Sequence, residues 1–150
     1  VCAAITRLVR GNTDVVMMCT GALGGLVAIT AEPLMPTPLM AIIIGGIGGA
    51  LVFAGTELLT AMKIDDVVGA IPVHLIAGVW GTLAVPITNP DTSFGTQFLG
   101  TASICVFVFV VSIIIWSIMK ATIGIRISEE AEKEGTDVAE TGVIAYSIRD

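Results

Sequence analysis

One histidine and one pair of adjacent acids carry the chemistry that this chain's residues offer. His74 is the only histidine among the 150 residues, and it stands inside an uncharged run from Val67 to Pro90. Asp65 and Asp66 come just before that run, in KIDDVVGAIPVHLIAGVWG, Lys63 to Gly81. An ionisable ring in a membrane-spanning segment is a functional position by default. A neutral imidazole both donates and accepts a hydrogen bond, which suits a small solute that does the same. Protonated, it repels an unshielded cation. The competing role is structural, with the ring as a hydrogen-bonded link between helices; the residues alone leave both open. The acid pair has a simpler reading. A carboxylate before a helix accepts from its first free N–H groups and suits the positive end of its dipole.

The rest of the chain must place these groups, and its composition says in what solvent. The mean hydropathy is +0.95, and 13% of residues are charged, against about 25% in a soluble domain. Charges avoid four windows, Val15 to Ala31, Pro33 to Thr56, Val67 to Pro90 and Thr92 to Met119. Windows of about 17 to 25 apolar residues cross a bilayer as helices. A soluble helical core needs a polar face on each helix, and these windows have none. The expected class is an all-α polytopic membrane protein with four transmembrane helices, at about 15–30, 39–62, 67–85 and 94–123. Residues 124–150 form a cytoplasmic tail. The net charge of −6 is concentrated there, and nothing is basic enough for nucleic acid. Cys2, Cys19 and Cys105 are scattered without a CxxC pair, so no metal or cofactor is implied. No nucleophile–base pair points to an enzyme.

In chain order, VCAAITRLVRGN places apolar residues before Arg7 and Arg10, the reverse of a signal peptide. It reads as the end of an earlier membrane helix, and the chain as a piece of a longer protein. Thr13 or Asp14 can cap the first window's helix. Gly21 and Gly25 there, and Gly45 and Gly49 in the next, make flat faces for close helix packing. On a helix from about Val67 to Val85, Ala70, Ala77, Gly78 and Gly81 share the face of His74. His74, Ala70 and Gly78 are therefore the candidate substrate-pathway residues. Pro72 is expected to open the backbone ladder nearby, and Pro86 to help end the helix. Thr92 or Ser93 can cap the last long helix, and Ser128 a short tail helix stopped by Gly135. With four spans, Arg7, Arg10, Lys63, Lys120 and Arg126 all border one side. The positive-inside rule makes that side, and both chain ends, cytoplasmic. Val138, Val143, Ile144 and Tyr146 make the tail too apolar for a purely solvating end, so it is expected to dock on a cytoplasmic face.

DDVVGAIPVHLIAGVWG resembles the tenth-helix motif of the ammonium transporter family. GNTDVVMMCTGALGGLVAITAEP resembles the family's eighth helix; FGTQFLG and GIRISEEAEKEGTDVAETGVIAY resemble the start of its eleventh helix and its cytoplasmic tail. The resemblance covers essentially the whole chain, in order. It implies a homotrimer of eleven-helix subunits in the cell membrane, each with a narrow apolar pore lined by two histidines, through which deprotonated ammonium passes. The first ten helices form inverted repeats. His74 matches the second histidine and Ala70 a pore-lining position one turn below it. Asp65 and Asp66 match the acidic pair. Gly124, Arg126, Gly135, Asp137 and Tyr146 match tail positions that pack under the pore and couple subunits, where a cytoplasmic regulatory protein is a further partner. Several positions depart from the pattern. Leu75 and Ile76 follow the histidine where small residues are usual, Pro72 replaces a glycine, Gly69 replaces a third acid, and Ala139 occupies a regulatory threonine position of plant relatives. The alternatives to a transporter are an ammonium-sensing membrane module and an inactive structural fragment. Alone, the four helices are not expected to form a pore, and the two glycine faces are expected to lack neighbours.

Overall fold

The computed structural model describes residues 1–145, and the chain divides into two units, Val1–Cys105 and Val106–Asp150. Six α-helices form: α1 Cys2–Arg10, α2 Val15–Ile29, α3 Pro38–Ala61, α4 Ala77–Thr88, α5 Phe94–Thr122 and α6 Glu129–Glu134. Two wider π-helical segments, Ile71–Ile76 and Asp137–Thr141, complete the described structure. The all-α class is as expected, and the described residues contain no strand.

Local chemistry sets the boundaries. The Asp14 carboxylate accepts from the Met17 N–H at 2.9 Å, Thr37 from Met40 and Ser93 from Thr96. Among the described residues, three helical stretches are long and apolar enough to cross a membrane: Pro38–Ala61, Ile71–Thr88 and Phe94–Thr122. The helix in the first window also forms, but at 15 residues and ~1.5 Å per residue it spans roughly 22 Å against a core of about 30 Å. Asp14 starts it, and Pro33, which disfavours helix at the residue before it, follows close behind.

In the first unit, α2 and α3 pack antiparallel through the two glycine faces. A Cβ added to Gly25 would lie 3.0 Å from the Gly45 carbonyl oxygen, and one at Gly49 would lie 3.1 Å from that of Gly21. This corrects the expectation that those faces lack neighbours: each is the other's neighbour. The loop from Thr30 to Thr37 is short enough to fold consecutive helices onto one another. Around the crossing, Cys2, Met17, Val52, Val73 and Ala77 form one buried cluster and Ala28, Ile44 and Ala84 another. Polar links tie the same elements. The Trp80 indole N–H donates to the Ile44 carbonyl at 3.0 Å, and the Asn89 amide donates to Glu32 at 2.9 Å. At the other end of these helices, Arg10 bonds Asp14 at 2.8 Å, pairs with Glu57 and lies 5.6 Å from the Phe53 ring centre.

Two expectations about prolines need correction. Pro86 does not end its helix, because α4 continues to Thr88. A proline's fixed φ fits a helix, at the cost of one hydrogen bond. The stop is Asn89, extended at φ −117° and followed by Pro90, which disfavours a helical residue before it. Pro72 breaks no ladder either. The helix starts near Ile71 rather than Val67, so Pro72 lies in the first turn, where an N–H has no intrahelical partner. Val67 and Val68 instead form an exposed turn, and Gly69 has a φ of +71°. That left-handed backbone favours glycine over a residue with a side chain.

The second unit begins within α5. Gly124, at φ +79°, ends that helix with its N–H on the Met119 carbonyl. Ser128 caps α6, Lys133 pairs with Glu129 at 2.7 Å, and Arg126 holds Glu132 with two bonds of 2.9 and 2.7 Å. Gly135, at φ +105°, stops α6. The segment beyond it folds back on Asp137, whose backbone carbonyl accepts from Val143 N–H and the Thr141 hydroxyl, and whose carboxylate accepts from the Ala145 N–H at 2.8 Å. Tyr146 lies outside the described residues.

The backbone N–H of Ala145, and then that of Val138, hold the Asp137 carboxyl below the ordinary carboxylate range. A carboxyl lowered on folding stabilises the fold above its unfolded value of about 3.9, and loses that contribution as pH falls through the folded value. The Ala145 amide is therefore expected to stay protected from hydrogen exchange at neutral pH and to lose protection on strong acidification. Unchanged protection down through that range would rule out the carboxylate as the anchor.

Candidate functional site

His74 stands on the π-helical segment, and its surroundings build up from the turn before it. The Asp66 carboxylate accepts from both the Ala70 and Ile71 N–H groups, each at 2.8 Å. Of the two candidate caps, Asp66 is the one that caps. Asp65 lines a separate hollow of about 360 Å³ at the same turn, with Lys63, Thr56 and Thr60. The segment closes with the Ala77 N–H on the Pro72 carbonyl, an i to i+5 bond.

That extra residue in the turn changes which side chains share a face. Pro72, Val73, Ala77 and Gly81 are buried toward α2 and α3, while His74 and Leu75 are exposed. The expectation that Ala77 and Gly81 share the face of His74 is thus overturned, because it assumed an unbroken 3.6-residue period. Gly78 does stay with His74. Ala70 lies at the capped start of the segment, exposed, and does not line the groove with them.

The groove measures about 360 Å³ and is lined on one side by His74, Gly78 and Thr82 and on the other by Gln97, Thr101 and Cys105 of α5. Both rows repeat at four-residue intervals, polar or small positions in apolar helices. That periodicity was a usable signal for Thr82, Gln97 and Thr101, which the reading centred on His74 missed. The Thr101 hydroxyl oxygen is buried and has no hydrogen-bond partner among the described residues. The imidazole makes no hydrogen bond to any described residue either. The groove thus offers a small solute hydrogen-bonding groups set in apolar walls.

An all-helical polytopic membrane chain with one histidine set in an open groove is the class these features define. The profile of the Ammonium Transporter Family matches residues 1–146, and the chain belongs to that family. It is similar to the ammonium transporter Amt2 of Archaeoglobus fulgidus, 37% identical over 95% of this chain and 35% of that protein. The ammonium transporter of Bacillus subtilis is 37% identical over 85% of this chain and 35% of its own length. A putative ammonium transporter of Synechocystis is also 37% identical, over 89% of this chain and 30% of its own. The chain spans about a third of the length of these relatives.

Proposed function

We propose that the intact protein moves ammonium or ammonia across a cell membrane, and that this chain supplies one wall of its pathway. The observation that carries the reading is His74, exposed beside Gly78 in a groove of small, apolar and a few polar residues, in a chain of the ammonium transporter family. An imidazole with free hydrogen-bonding capacity receives ammonia or the proton that ammonium gives up. The intact protein assembles as a homotrimer, and the tail meets a cytoplasmic regulatory protein. Arg7, Arg10 and Lys63 border the cytoplasmic side, by the excess of basic residues there. Gly124, Arg126, Gly135 and Asp137 act by shaping the tail into the closed loop that a neighbouring subunit meets.

Vesicles carrying the intact protein are expected to show an ammonium-evoked current or internal pH change that protein-free vesicles lack. Indistinguishable traces from the two preparations would remove the transport reading.

A further inference from the structure

We propose that Gly55 of α3 is a positioning residue for His74, an inference that rests on the transport reading above. No hydrogen bond to a described residue orients the ring, so its direction follows from the winding of Ile71–Ile76. Single wide turns of this kind are rare and concentrate at functional positions. Two supports hold this one. Asp66 pins its start through Ala70 and Ile71. On its flank, α3 comes against it at Gly55, where an added Cβ would stand 2.6 Å from Ile76 Cδ1 and 3.2 Å from Pro72 Cβ.

The terminal methyl of Ile76 is the nearer obstruction, and Pro72 beyond it is fully buried, with a ring that fixes its backbone. A π-turn is wider than an α-turn, and the absent side chain at residue 55 leaves the room it occupies. A methyl there pushes the turn off α3 and favours the narrower winding. One residue of rewinding turns the following side chains by about 100°, which carries His74 away from Gly78 and Thr82.

The test is the structure of the intact protein carrying Gly55→Ala, with its ammonium uptake measured across pH. The Ala77 N–H is expected to leave the Pro72 carbonyl. Uptake is expected to fall by up to about a hundredfold, the cost that a misplacement of about 1 Å can reach, with a shifted pH profile. Ile76→Val removes the methyl in the way, so Gly55→Ala/Ile76→Val is expected to restore the turn and the profile together. An unmoved turn in the Gly55→Ala structure overturns the proposal. So does a loss of uptake that keeps the wild-type pH profile and is not rescued by Ile76→Val, which marks plain packing damage. Should Gly55→Ala alone fail to assemble, the double variant decides. Assembly with the wide turn intact supports the proposal, and failure of both overturns it. His74→Ala separates the two claims. If it leaves uptake unchanged, the transport role of His74 falls, while the effect of Gly55 on its direction is still read from the structure.

Discussion

Replacing His74 by alanine in the intact protein is expected to remove most ammonium uptake, or to change which ion passes, without lowering the amount of folded protein. The two halves of that expectation come from the same geometry. The ring is exposed in its groove and bonds no described residue. Its loss therefore leaves no buried partner unsatisfied, and substitutions away from such features usually stay within about 0.5 kcal/mol. For a solute in the groove the balance is different. A hydrogen bond to a charged group contributes about 1.5–3 kcal/mol, so removing it costs roughly ten- to a hundredfold. Gly78 offers no replacement side-chain group; Thr82, Gln97 and Thr101 lie farther along the same groove. His74→Gln keeps a donor and an acceptor but cannot take up a proton. It is expected to retain more passage of neutral ammonia than His74→Ala while losing current. Methylammonium uptake and ammonium-evoked current, measured on the same vesicles, read both quantities. Equal values for wild type and His74→Ala would end the case for a pathway role.

What the sequence revealed, and what it hid, divides by the range of the interaction. The Ser128 cap was legible, and those at Asp14, Asp66 and Ser93 were legible as one of two adjacent residues, because a cap joins a side chain to N–H groups a few residues away. The Glu129–Lys133 pair is local in the same sense. The glycine faces of α2 and α3 were legible as flat surfaces but not as a matched pair, since a face on one helix does not name its partner. The face of His74 was misassigned at its far end because 3.6-residue counting was carried through a turn that winds wider. The cue was present in Gly69 and Pro72. A left-handed glycine and a proline restricted to a first turn together delay the helix start to Ile71. The Arg10 cluster with Asp14 and Glu57 was beyond reach, because Glu57 lies 47 residues away in sequence. Only the fold brings them together. Of the residues that line the groove, His74 and Gly78 were therefore legible. The opposite wall at Gln97 and Thr101 needed the groove itself.

Gly81→Ala is expected to damage the fold before it touches transport, and that separates it from His74→Ala. At Gly81, α4 lies directly on the backbone of α2. A Cβ there would stand 2.8 Å from Ala28 Cα and 2.9 Å from its carbonyl carbon. Neither atom belongs to a side chain that can rotate aside, so the helices must part. Overpacking a well-filled site costs about 1–3 kcal/mol where side chains can adjust, and a backbone contact places this case at or above the top of that range. Parting the helices also opens the cluster of Ala28, Ile44 and Ala84 and strains the bond from Trp80 to the Ile44 carbonyl. Gly78 is the natural control, three residues earlier on the same helix. A Cβ there meets only Val27 Cγ1, at an ordinary 3.7 Å. Thermal unfolding of the purified intact protein should therefore show a clear drop in Tm for Gly81→Ala and little change for Gly78→Ala. If the two variants unfold together at the wild-type temperature, α4 does not lie on α2 at Ala28. A variant that loses uptake with its Tm intact reports on the groove, whereas one that loses both reports on the crossing that holds α4 in place.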